Sequence, residues 1–138
     1  MTHTESFMPE LPVPTRFDDL LDSTILANLA TIGPDGAPQV NPIWFLRDGD
    51  RIQFGVKGDT QKLRNIRREP RIALSFLSPD DPRHYLELRG EVIEIFMYDD
   101  LSFLNLMARK YTGADATFGE VGEPRFRMTF IPKRWTGQ

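Results

Sequence analysis

Thr60-Gln61-Lys62-Leu63-Arg64-Asn65-Ile66-Arg67-Arg68-Glu69-Pro70-Arg71 reads as one short helix followed by the start of a strand. Leu63 and Ile66 are three apart and share a face that can meet a core. Thr60 suits the N-cap, because its hydroxyl can accept from a free backbone N–H of the first turn. Pro70 restricts Glu69 to extended backbone, so the helix ends there. Lys62 and Asn65 lie on a neighbouring face. A helix start with unpaired N–H groups, a hydroxyl and a lysine suits a phosphate. The same charges would also suit a solvated basic helix.

Outward from this stretch the chain is rich in strands. Upstream, Arg51 to Lys57 alternates, with Ile52, Phe54 and Val56 on one face. Before it, Asp48-Gly49-Asp50 is a tight turn, and Ala37 to Arg47 reads as a strand interrupted by Pro38 and Pro42. Gly33-Pro34-Asp35-Gly36 is a turn after a strand over 24–32. These three strands are expected to form a meander. A short helix, Phe17 to Asp22, precedes them, and residues 1–16 with three prolines read as an extended arm before a single domain over 17–138.

Downstream, Arg71 to Leu77 is apolar on both faces and is expected at the sheet centre. A long strand follows from His84 to Phe96, with Gly90 marking a bulge or bend. Asp99 is expected to cap a helix reaching Thr112, stopped by Gly113. After a loop over 114–124, Arg125 to Trp135 is the last strand. Six strands, mostly antiparallel, with three short helices argue for a mainly β fold, a small barrel of Greek-key type.

Composition narrows the chemistry. The chain has 138 residues, fits one domain and has an ordinary charged fraction of 27%. It holds no cysteine and only His3 and His84, which excludes thiolate nucleophiles, disulfides and Cys- or His-built metal sites. No apolar run is long enough to span a membrane, and Met1 to Glu10 lacks the pattern of a signal peptide, so a cytoplasmic setting is expected. The net charge is −3, yet residues 57–71 carry six basic residues against Asp59 and Glu69. No aromatic falls inside that cluster, so one small anion fits better than a nucleic acid. There is no dinucleotide fingerprint, Walker motif or nucleophile elbow, and no catalytic residue stands out. Gln39, Asn41 and the prolines around them leave the 37–47 strand incompletely paired, so its edge could meet a planar heterocycle.

The ordered set Leu29-Ala30-Thr31, Asp35-Gly36-x-Pro38, Trp44-Phe45, Lys62-x-x-Asn65-x-x-Arg68-x-Pro70-Arg71 and Leu86-Glu87-Leu88-Arg89-Gly90 resembles the pyridoxamine 5′-phosphate oxidase-like flavin-binding superfamily. It is most similar to the branch that uses the deazaflavin coenzyme F420. Lys110-Tyr111-x-Gly113 and Ile131-Pro132-x-Arg134 fit that branch too. The resemblance implies a six-stranded split β-barrel that binds FMN or F420 and forms a homodimer, with two cofactor sites at the interface. It implies that Thr60, Gln61, Lys62 and Asn65 hold the cofactor's phosphate and side chain. Gln39, Val40, Asn41 and Pro42 would lie along the ring, Val56, Lys57 and Gly58 beneath it, and His84 and Tyr85 would approach from the partner. Relatives often carry an arginine where this chain has Thr60. The implied activity is hydride transfer between F420 and an activated alkene, imine or quinone. FMN-dependent oxidation or reduction, or non-enzymatic flavin or haem binding, are the alternatives.

Overall fold

The computed structural model describes the backbone of Thr4–Ser6 and residues 13–138. Eight antiparallel strands appear among them: β1 (Thr4–Ser6), β2 (Ala27–Ile32), β3 (Pro38–Ile43), β4 (Leu46–Asp48), β5 (Arg51–Lys57), β6 (Arg71–Leu77), β7 (Tyr85–Tyr98) and β8 (Arg125–Gly137). The helices are α1 (Asp18–Leu21), α2 (Gln61–Arg68) and α3 (Ser102–Thr112), with a 3₁₀ turn at Thr15–Phe17. Of the expected arm, residues 1–3 and 7–12 lie outside the described residues. Thr4–Ser6 pairs with Trp135–Gly137 of β8.

The hydrogen-bonded order is β3-β2-β6-β7-β8-β5-β4. This corrects the expected meander. β3 pairs with β2, but β5 pairs with β8 and β4. The reason lies in the 37–47 run, which is two strands separated by Trp44-Phe45. The break carries the chain from one end of the sheet to the other. Laid flat at about 4.8 Å per step, seven strands would hold β3 and β4 nearly 30 Å apart. Ile43 and Leu46 are three residues apart and can span no more than about 11 Å. The sheet therefore curls enough to bring the end of β3 near the start of β4, with no ladder joining those two edges among the described residues.

The concave face is filled by Phe17, Leu29, Phe45, Phe54, Leu74, Phe76, Leu86, Leu88, Met128 and Phe130, all nearly or fully buried. Phe45, from the crossing, sits edge-on to Phe76 at 4.9 Å between ring centres. β6 lies inside the sheet as its apolar character suggests, with Ile72, Leu74 and Phe76 inward.

α3 packs on the outside of β5. A Cβ on Gly55 would lie 2.9 Å from the Met107 methyl, so glycine is what allows the helix so close. Its N-terminus is a correction. Asp99 does not cap it; the Asp100 carboxylate accepts from the Ser102 N–H and hydroxyl, one residue later. Gly113 ends the helix at φ +80°. The last turn clamps the crossing. Phe45 N–H donates to the Tyr111 hydroxyl (3.1 Å), which donates to the Ile25 carbonyl (2.8 Å). Lys110 Nζ donates to the Phe45 carbonyl (2.8 Å) and lies 3.7 Å above its ring. Trp44 stacks on Tyr111, 5.0 Å away.

Gly90 sits at a register shift between β7 and β8, as its mid-strand position implies. Past Glu91 the ladder to β6 ends; Ile93 falls at a second register shift, and residues 94–98 pair only with β8.

Two outcomes are expected from this architecture. A Cβ at Gly90 would fall 2.0 Å from the Ile131 carbonyl oxygen, so Gly90→Ala lowers stability by about 2–4 kcal/mol in urea unfolding. Burial pushes the Lys110 ammonium down to about 8. Between pH 8 and 10.5 the unfolded chain holds a proton the folded chain has lost, so stability rises with pH in that window. Water screens this half-buried group, and the gain is about 1–2 kcal/mol. Lys110→Met removes most of the rise when unfolding midpoints at pH 7.5 and 10 are compared with those of the wild type, and Lys62, also lowered by burial, supplies the remainder.

Candidate functional site

The site begins where β5 runs into α2. Gly58 N–H donates to the Pro124 carbonyl (3.1 Å), which closes the turn. Asp59 then takes the left-handed conformation, φ +61°, an uncommon one for a residue with a side chain. Its carboxylate meets Arg64 at 3.0 Å. Thr60 caps the helix as its position suggests: Oγ1 accepts from Leu63 N–H (3.3 Å) and donates to the Lys57 carbonyl (3.1 Å). The N–H groups of Gln61 and Lys62 have no intrahelical acceptor by position.

On the inner side of α2 a set of amides closes on itself. Asn65 is fully buried. Its Nδ2 donates to Thr31 Oγ1 (3.0 Å) and Gln39 Oε1 (3.3 Å). Its Oδ1 accepts from Gln61 Nε2 (2.7 Å) and Arg68 Nη2 (3.3 Å). Gln39 Nε2 donates to Asn41 Oδ1 (2.7 Å), and Arg68 also donates to the Ile32 carbonyl. The structure thus brings Gln39, Asn41, Gln61 and Asn65 together, but their amides face one another. Asn65, expected to contact the cofactor, is fully buried here, and all its amide bonds are internal. Along β3 the outward positions are Val40, which is 60% exposed, and Pro42. A flat ligand lying there would meet them and the open backbone edge of β3.

On the outer side of α2 lies a cavity of about 550 Å³ that includes Val56, Lys57 and Lys62. Leu104 and Met107 of α3 wall it, and Phe118 closes one side. Lys57 is paired with Glu123 at 2.9 Å. Lys62 is half-buried and has no hydrogen-bond or ion partner among the described residues. Burial alone moves its pKa below the ordinary lysine value. A desolvated ammonium with no partner favours an anion brought from outside.

Sequence reasoning missed Tyr98, Phe118 and Arg125 in this cavity. Arg125 is 8% exposed, with Nη2 3.8 Å from Glu123 and Nη1 unpaired. Only register could have found it, because Lys57 faces Arg125 across β5 and β8. Burial also raises the Tyr98 hydroxyl above its ordinary range. A second concavity, about 690 Å³, lies on β2, β6, β7 and β8, with Ala30 and Ala73 as apolar lining and Arg71, Arg89 and Lys133 among its charged residues.

His84 and Tyr85 are not brought to this place within one chain. Tyr85 pairs with Leu77 at the end of β6 opposite α2, about 20 Å along the strand. His84 stacks on Phe17 and sets Nε2 3.0 Å from both Asp19 oxygens and Nδ1 2.8 Å from the Gln138 carbonyl. Asp19, then the Gln138 carbonyl, raises the His84 pKa.

Comparison with known proteins finds relatives of the chain and its fold. The family model described as pyridoxamine 5′-phosphate oxidase matches residues 13–135. Among solved structures, an F420 reductase is 34% identical, with a TM-score of 0.83, covering 91% of this chain and 100% of its own. A conserved hypothetical protein from Mycobacterium tuberculosis shares the fold at 21% identity and a TM-score of 0.69, covering 94% of this chain and 87% of its own. No curated protein matches. No helix among the described residues is long and apolar enough to cross a membrane.

The position of His84 has a direct check. Asp19→Asn should lower its pKa toward the ordinary histidine value in an NMR titration. An unmoved pKa would mean that Asp19 does not hold the ring.

Proposed function

The chain belongs to the pyridoxamine 5′-phosphate oxidase family, and we propose that it is an F420-dependent oxidoreductase acting on a small organic acceptor. The observation that carries this reading is Lys62, half-buried and without a partner among the described residues, at the start of α2 on a cavity large enough for part of a cofactor. The F420 reductase at 34% identity supports the deazaflavin over other flavins. FMN is the second reading, because a phosphate on either cofactor would satisfy the same lysine and the family model is named for a phosphate-ester oxidase.

The donor set suits such a group. Lys62 would pair with the phosphate, and the backbone N–H groups of Gln61 and Lys62 would complete the cradle. Thr60 serves the helix itself by satisfying Leu63 N–H. The outward side of β3, with Val40 and Pro42, offers an apolar rest for a ring. Val56, Lys57 and Gly58 would lie beneath it. When bound, a reduced deazaflavin supplies hydride for an electron-poor alkene, imine or quinone. The chain's part is to orient the reactants and keep water away.

In this reading the bent sheet is one barrel of a Greek-key split-barrel homodimer. His84 and Tyr85 would reach the partner's site. The concavity over β2, β6, β7 and β8, with its apolar lining, supports a face that meets a second chain.

Titration of the purified protein with F420 and with FMN, followed by ligand fluorescence, should show tight binding of F420. Lys62→Ala should weaken it by about 1.5–3 kcal/mol, roughly 10- to 150-fold in Kd, with unfolding unchanged. Light scattering at micromolar concentration should give the mass of two chains. Binding of FMN alone would transfer the assignment to the second reading, and binding of neither would refute both.

A further inference from the structure

We infer that Asn65 is a positioning residue that sets the direction of Lys62, and through it joins the ring side of the site to the anion side; the functional part rests on the cofactor reading above. α2 has eight residues, too few to hold itself in place without tertiary contacts. Two of its buried side chains, Leu63 and Ile66, are apolar and turn that face of α2 inward, but non-directional contact tolerates small rolls about the axis. Asn65 is the third buried residue, and its bonds are directional.

The four bonds at Asn65 reach four places. Thr31 belongs to β2 and Gln39 to β3. Gln61 belongs to the first turn of α2, and Arg68 to its last. Both donors and both acceptor positions of the amide are used, so it holds one orientation. At 100° per residue, Lys62 and Asn65 are about 60° apart around the helix axis. Any roll of α2 that released Asn65 would swing Lys62 away from its cavity. Gln39 adds the second link. Its amide bonds both Asn65 and Asn41, so the β3 edge and the start of α2 share one rigid network. Apolar packing alone would place α2 without fixing where its lysine points.

The test replaces Asn65 in the full chain and reads two quantities. Asn65→Leu keeps comparable volume and removes every bond. The first readout is the Lys62 side-chain pKa by NMR, which needs no ligand. In the wild type it lies below the ordinary value; in the variant it should return to that value, because the ammonium has left its buried place. The second readout is the ratio of Kd for the deazaflavin riboside without its phosphate tail to Kd for F420 (riboflavin to FMN under the second reading), which isolates the anionic tail. It should fall at least tenfold, and adding Lys62→Ala should then change affinity for the tailed cofactor much less than it does in the wild type. A merely structural asparagine would lower the melting temperature and leave both the Lys62 titration and the ratio unchanged, which would overturn the proposal. Should Asn65→Leu fail to fold, Thr31→Val removes one bond from a buried isosteric partner and should move both readouts the same way by a smaller amount; no movement there would also overturn it. Should the wild type bind neither FMN nor F420, the cofactor reading fails, and the Lys62 titration still decides whether Asn65 aims the lysine.

Discussion

The whole arrangement depends on two residues reaching between the ends of a seven-strand path. Trp44-Phe45 is too short to span a flat sheet, so the sheet must curl, and everything placed on either face follows from that curl. The short tether is held in two ways. Phe45 is sunk in the core, and its peptide groups are satisfied by α3 rather than by a neighbouring strand. A break between strands leaves backbone donors and acceptors that water cannot reach. Here Tyr111 and Lys110 meet those needs, at the expense of partly burying an ammonium.

That clamp also locates the candidate site. α3 is pulled over β5 by its grip on the crossing and by the missing side chain at Gly55. Its Leu104 and Met107 thereby become the wall opposite Lys62. The inner side of α2 is closed by amides and the outer side is left open to a cavity. One short helix thus presents a saturated face and an unsaturated one, and the unsaturated one carries Lys62, which has no partner among the described residues.

Much of this was legible in the residues. Ile52, Phe54 and Val56 alternate and are buried as that alternation requires. Thr60 caps, Pro70 ends the helix, and Gly90 marks the bulge, because each rests on local chemistry that a sequence displays. The change of strand partner after Ile43 was not legible. The run Ile43-Trp44-Phe45-Leu46 is continuously apolar, and a run of that kind looks the same whether it pairs straight on or crosses to another edge. Asn65 was noticed, but its burial was not legible, since a polar residue four after Gln61 on a basic helix reads as outward-facing. What buries it is Thr31 and Gln39, more than twenty residues away. Arg125 escaped for a similar reason: its place beside the cavity comes from the register of β8 on β5.

The unpaired margin of β7 has a further consequence. Beyond the end of β6, residues 93–98 offer a row of backbone donors and acceptors with no strand on that side among the described residues, flanked by the exposed side chains of Ile93, Phe96 and Met97. Such a margin is a template for non-native strand addition, which many β proteins suppress with charge, proline or a covering element. Glu94 and Arg127, joined at 3.0 Å, are charges next to it. Their loss would leave the fold's core untouched while favouring edge-to-edge aggregation at high protein concentration, a colloidal fault rather than a fault of folding.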